Sequence, residues 1–170
     1  MFGHSRVLGW DQREPEQTET CARLLLVKAM RRMRRDGYAA SALCLGLRGE
    51  TGLRWDGERR GPAFRDDHTA LAGLSELFCR ARTAEAIART KKVQVILHGL
   101  VPINQVIPDL LETPEARRAR EKWERLSDLT DALQARYKTP VLTLGPHYDP
   151  PGGYAGAKIA FGRIPALADF

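Results

Sequence analysis

The sequence predicts an α+β fold: one antiparallel sheet in strand, helix, strand, strand, helix, strand order, two helices on one of its faces, then a C-terminal helix and short strands. Three observations predict it. Residues 42–47 and 91–98 alternate large apolar with small or polar side chains at the two-residue period of a half-buried strand. Residues 16–35 and the stretch after Asp66-Asp67 instead repeat apolar residues every three or four positions, as a helix with one buried stripe does. Alternation also leaves each strand only one leucine- or valine-rich side, so both helices should share one sheet face and leave the other open.

The 170 residues suffice for one compact core, and 27 Lys plus Arg against 21 Asp plus Glu give a formal charge of +6. With 43% hydrophobic and 28% charged residues, collagenous, disulfide-framework and wholly disordered classes are excluded. No stretch has the uninterrupted apolar length of a membrane span, and the first six residues lack the apolar core of a secretory signal, so a cytoplasmic location and no membrane partner are expected.

Residues 3–9 begin the unit as a short strand, and Asp11 to Pro15 supply a turn and a proline suited to a helix start. The first helix then buries Ala22, Leu25, Leu26, Ala29, Met30 and Met33 and ends at Asp36-Gly37. Acidic residues at its start and Arg31, Arg32, Arg34 and Arg35 at its end match the helix dipole, and that arginine cluster is read as solvated. Leu43, Leu45 and Leu47 face the core in the second strand, with the small residues Ala42, Cys44 and Gly46 outward. Arg48 to Gly52 reads as a hairpin turn leading to a third strand through Leu53 and Trp55 that ends near Gly61-Pro62. Asp66 or Asp67 caps a second helix carrying Leu71, Leu74, Phe78 and Ala81. The fourth strand places Val93, Val95 and Leu97 on one face and Gln94, Ile96 and His98 on the other.

Residues 1–102 therefore form the core unit, 103–112 a loop, 113–138 an additional helix with Ala119, Trp123, Leu126, Thr130 and Leu133 at helical spacing, and 139–170 a strand and loop extension. Val141 to Leu144 is expected as a short strand. No internal repeat or low-complexity tract occurs.

No catalytic constellation stands out. Cys21, Cys44 and Cys79 lack any metal-binding spacing and are read as reduced packing residues, with neither a zinc site nor a disulfide framework. Asp66-Asp67-His68 is read as helix-cap chemistry, Gly152-Gly153 as a loop without the strand, lysine and helix of a phosphate cradle, and His98 as a strand histidine without a carboxylate partner in sequence. No metal or other cofactor is expected.

What remains is the open face and rim of the sheet. His4, Ser5, Arg6, Arg54, Arg59, Arg60, Arg65, Lys91, Lys92 and His98 lie on strands or at their ends, a basic surface without interleaved aromatic rings. Phosphates need positive charge and donors but no stacking platforms, so this surface suits the backbone of a duplex. That requires the bare side to be free of acidic patches and uncovered by the Trp123 helix.

Several segments resemble a known family. They are Gly3-His4-Ser5-Arg6-Val7-Leu8, the helix end Arg34-Arg35-Asp36-Gly37-Tyr38-Ala39, the strand Leu43-Cys44-Leu45-Gly46-Leu47-Arg48, and Val95-Ile96-Leu97-His98-Gly99-Leu100-Val101-Pro102. Their order resembles the little-finger domain of the Y-family lesion-bypass DNA polymerases, the ImpB/MucB/SamB group, and Leu133-Gln134-Ala135-Arg136-Tyr137 resembles the segment that follows it. The resemblance implies a little-finger-like sheet seated in the major groove of duplex DNA, such as a damaged or primer-template duplex, gripping it through backbone amides and basic side chains. It carries contacts over to Ser5, Arg6, Val7, Arg54, Lys92 and Gln94; the open-face pattern adds Arg59, Arg60, Lys91 and His98.

Family members often carry a sliding-clamp peptide beyond the last core strand. Here Gln105, Asp109, Leu110 and Leu111 take that place, with Leu111 where a phenylalanine is usual. The family's palm carboxylates, which hold two metal ions for nucleotidyl transfer, have no counterpart, and Met1 stands where the little finger would begin. The expectation is a non-catalytic DNA-binding module related to translesion synthesis, DNA repair and damage tolerance, not an enzyme. The alternative is a protein-interaction adaptor that docks on a sliding clamp or polymerase partner.

Overall fold

In the computed structural model, which describes residues 1–84, 89–107, 112–137 and 142–145, the alternating and helical stretches form the expected elements. They run β1 (Phe2–Val7), α1 (Pro15–Arg35), β2 (Tyr38–Gly49), β3 (Arg54–Phe64), α2 (Asp67–Thr83), β4 (Thr90–Pro102) and α3 (Pro114–Tyr137), with one-turn helices at Trp10–Gln12 and Ile103–Gln105. The four strands make one sheet in the order β1-β4-β2-β3, with every neighbouring pair antiparallel.

Local chemistry sets the boundaries. Pro15 lies in the first turn of α1, where its missing N–H costs no helix bond. Asp66, not Asp67, caps α2 by accepting a 2.7 Å hydrogen bond from the Thr69 amide. Thr113 does the same for α3, its hydroxyl accepting from the Ala116 amide at 3.2 Å. The β2–β3 turn falls later than the sequence suggests: Gly52, at φ 86°, makes it, and β2 runs on to Gly49, so Arg48 is a strand residue opposite Arg54. β4 likewise continues through Leu100-Val101-Pro102 instead of stopping at His98.

One face of the sheet carries the core. Leu43, Leu45 and Leu47 of β2 and Val93, Val95 and Leu97 of β4 are buried against Leu26, Ala29, Met30 and Met33 of α1 and Leu74, Leu77 and Phe78 of α2. α1 lies over β1 and β4, and α2 over β2 and β3. Gly57 sits on this face directly beneath the Trp55 ring, where a Cβ would overlap the indole. Removing these side chains from water is the main driving force for the layer.

A buried ion cluster joins the three long helices. Arg34, read from the sequence as part of a solvated helix end, is buried: its Nη1 donates to Asp67 Oδ1 at 2.7 Å, its Nε to Asp131 Oδ2 at 2.7 Å and its Nη1 to the Arg65 carbonyl at 3.0 Å. Burial works against the Arg34 charge, but the hydrogen bonds to Asp131 and Asp67 outweigh it and hold its pKa above the ordinary arginine value. α3 is fastened around this cluster. Ser127 Oγ accepts from the Asp67 amide at 3.0 Å, Arg65 pairs with Asp128, and the Trp123 indole stacks on the His68 ring with centroids 4.1 Å apart. The Asp66-Asp67-His68 cluster is thus cap, clamp and stacking partner in turn. The Trp123 helix sits against the start of α2 on the helix-bearing side, so among the described residues no helix lies on the open face.

Residues 142–145 carry no strand. The Leu144 carbonyl instead accepts a 2.9 Å hydrogen bond from Arg23 Nη2, and the Leu144 side chain packs against the core.

Candidate nucleic-acid interface on the open sheet face

The ladder register arranges the outward side chains in rows across the sheet. One row reads Val7, Lys92, Arg48, Arg54; the next Ser5, Gln94, Gly46, Asp56; then Gly3, Ile96, Cys44, Glu58; and last His98, Ala42, Arg60. The alternation of β2 puts the small residues Gly46 and Ala42 in the middle of this surface, but the Asp56 carboxylate lies over Gly46 and the neighbouring side chains leave Ala42 only 2% exposed.

The first row concentrates charge. Lys92, Arg48 and Arg54 lie directly opposite one another on three adjacent strands, at the roughly 5 Å spacing of facing residues, and like charges so placed repel. Arg54 Nε is paired with Asp56 Oδ2 at 2.5 Å, while Arg48 and Lys92 have no carboxylate partner among the described residues. An anion lying across the row would remove the repulsion. Arg48 is absent from the sequence-derived positions: the period-based reading starts the hairpin turn at it, although the resemblance includes it in the second strand, and the two-residue period carried one step past Leu47 places it outward.

Two carboxylates also share this face. Asp56 is held by Arg54, and Glu58 Oε1 by Arg60 Nε at 3.0 Å and by His98 Nε2 at 2.8 Å. The Arg60 hydrogen bond first, and then the charges of Arg60 and His98, keep the Glu58 carboxyl below the usual carboxylate range. Each acid is therefore neutralised locally, and Arg48 and Lys92 remain as the surplus. His98, which has no carboxylate partner near it in sequence, finds one two strands away. Cys44 Sγ lies 3.2 Å from His98 Nε2, and burial followed by the Glu58 charge pushes its thiol pKa up, so a nucleophilic thiolate is disfavoured at neutral pH. Only Cys21 of the three cysteines is buried; Cys44 is half-buried on the open face and Cys79 is exposed.

Of the sequence-derived positions, Ser5, Val7, Arg54, Arg60, Lys92, Gln94 and His98 come together on this face, and Lys91 is exposed at the start of β4. Arg6 and Arg59 do not. Arg6 pairs with Val93 in register and is buried beside Cys21 of α1, and Arg59 pairs with Leu43 and reaches Glu76 of α2 at 3.0 Å. The family resemblance puts Arg6, and the open-face pattern Arg59, on the basic surface, but the two-residue period sends both to the helix side. Arg65 is likewise engaged by α3. Gln105 is exposed in the turn after β4, whereas Asp109, Leu110 and Leu111 lie outside the described residues.

His4 also faces the helices, with Nε2 3.5 Å from Arg32 Nη1. Burial first, and then Arg32 and Lys28, pull its pKa from 6.5 down to about 4. Between those values the unfolded chain binds more protons than the folded one, so stability is complete above pH 6.5 and declines as pH falls toward 4. After discounting for the imidazole's partial exposure, the loss is about 1–2 kcal/mol. Urea unfolding of wild type and His4→Gln across this window should show the variant gaining on wild type as the pH drops; a constant difference would contradict the assignment.

No family model matches the chain, and no curated protein matches it. Among solved structures, the post-insertion binary complex of Dbh DNA polymerase superposes with a TM-score of 0.52 at 9% identity, covering 59% of this chain and 29% of that one. The chain thus spans less than a third of that polymerase. The complex of the beta-clamp processivity factor and the little finger domain of PolIV matches with a TM-score of 0.46 at 16% identity, over 65% of this chain and 96% of that one. The likeness to the Dbh structure is one of fold.

Proposed function

We propose that the chain is a non-catalytic DNA-binding module, related to the lesion-bypass polymerases and acting in damage tolerance, that holds the phosphate backbone of a duplex against its open sheet face. The observation that carries this reading is the row Lys92–Arg48–Arg54. Three cations stand in register across adjacent strands, two of them without a carboxylate partner among the described residues, and a bound polyanion would relieve their repulsion. Ser5 and Gln94 add neutral donors beside the cations. The sheet presents no aromatic ring on this face, which favours a duplex over stacked single strands. A cytoplasmic site of action and the absence of nucleotidyl transfer belong to the same proposal.

Binding to a fluorescent duplex should be insensitive to sequence and steeply dependent on salt. Two phosphates neutralised by Arg48 and Lys92 correspond to a slope of about −1.8 in log affinity against log salt, or roughly a 12-fold loss between 50 and 200 mM. Absent or salt-independent binding would refute the proposal. Recovery of a sliding clamp or polymerase by the full chain without DNA, together with no duplex binding, would favour the adaptor reading instead, with exposed Gln105 at its centre.

A further inference from the structure

Cys44, Glu58 and His98 stand on β2, β3 and β4, far apart in sequence, yet one ligand atom from each lies within 4.8 Å of the other two. Their arrangement is not a proton relay. A relay uses the two ring nitrogens of the histidine separately, one toward the nucleophile and one toward the acid. Here the same nitrogen, His98 Nε2, meets both Cys44 Sγ at 3.2 Å and Glu58 Oε1 at 2.8 Å. One ring nitrogen carries either one proton or one lone pair, so it cannot donate to the carboxylate and accept from the thiol at once. Three electron-pair donors converging on one point are instead what a cation requires.

We propose that Cys44, Glu58 and His98 form a binding site for a zinc-type divalent metal ion, with water in the fourth position. A thiolate, an imidazole and a carboxylate suit a borderline-soft metal such as zinc better than magnesium or calcium, which prefer all-oxygen shells. Tetrahedral bonds of about 2.0–2.3 Å place ligand atoms roughly 3.4–3.6 Å apart, so the two contacts of His98 Nε2, at 3.2 and 2.8 Å, need to open by only about half an ångström, and Cys44 Sγ and Glu58 already lie within 4.8 Å of each other. Arg60 has to release Glu58, and its side chain, 74% exposed, is free to swing into solvent. On binding, the Cys44 thiol proton passes to solvent, and the thiolate and carboxylate together balance the two positive charges. The half-exposed position of all three residues leaves an entry path and room for the water ligand. This inference does not rest on nucleic-acid binding.

Cobalt(II) titration of the metal-free full chain tests it. One equivalent should produce the visible absorption of tetrahedral cobalt and an ultraviolet thiolate-to-cobalt charge-transfer band, both abolished by added zinc. The bands should survive the Cys21→Ser/Cys79→Ser double substitution and vanish in Cys44→Ser and in His98→Ala, while Glu58→Gln should weaken cobalt at least tenfold. His98 and Glu58 are solvent-facing, so these two variants carry the test if Cys44→Ser fails to fold. No band with the wild-type chain, a band that outlives His98→Ala, or a band lost with Cys21 and Cys79 would overturn the proposal.

Discussion

Arg34→Leu is expected to destabilise the fold by about 3–5 kcal/mol, the cost of leaving a buried charge without its partner. Asp67, itself 3% exposed, would lose both guanidinium contacts, and the Arg65 carbonyl would lose its donor. Asp131 would lose its two bonds as well, loosening α3 from the end of α1. The pH dependence identifies the cause. Burial already pushes the Asp67 carboxyl upward, and without Arg34 nothing at that site opposes it. A carboxyl whose folded pKa exceeds its unfolded value binds more protons in the folded state, so the variant should recover stability as pH falls through the carboxylate range. Urea unfolding at neutral and acidic pH measures both effects. A loss below about 1 kcal/mol at neutral pH, within the range of a surface pair, would show that the cluster is not the clamp described here.

Arg48→Glu should separate stability from binding. In wild type, Arg48 stands between Lys92 and Arg54. Reversing its charge converts two repulsive neighbours into attractive ones, so stability should hold or rise by about 0.2–1 kcal/mol. Duplex affinity should nonetheless fall at least a hundredfold at low salt, because the reversal removes one phosphate contact and sets a repulsive charge at the middle of the row. Thermal melts and duplex titrations on the same preparation read the two effects independently. Unchanged affinity would remove the row from the interface, whereas a collapse of both stability and affinity would mean that Arg48 has a structural task.

How legible the molecule is from its sequence depends on the range of the interaction concerned. Leu43, Leu45 and Leu47 announce a one-sided strand, and the stripe from Ala22 to Met33 a one-sided helix, because burial imposes a local period on each. The helix starts at Pro15 and Asp66 are equally local. Arg34 illustrates the opposite case. Its sequence surroundings are a run of arginines at a helix end, and only the approach of Asp67 on α2, 33 positions later, and of Asp131 on α3, 97 positions later, turns it into a buried clamp. Arg6, placed on the basic surface by the resemblance, and Arg59, placed there by its charge, both follow instead the alternation that points them toward α1 and α2. Arg48 was missed by a two-residue error in the turn. The meeting of Cys44, Glu58 and His98 had no local signal at all, since strand order and register alone bring them together.

The open sheet face as the surface that meets DNA is tested most directly by observing its side chains during a titration with a short duplex. Ile96 and Val7 offer methyl groups and Gln94 a side-chain amide on that face, while the Trp123 indole reports on α3 at the far side of the helices. Nuclear magnetic resonance should show the Ile96, Val7 and Gln94 signals moving together with added duplex and the Trp123 indole unmoved. Shifts confined to Trp123 and its neighbours, or none anywhere, would contradict the proposed interface.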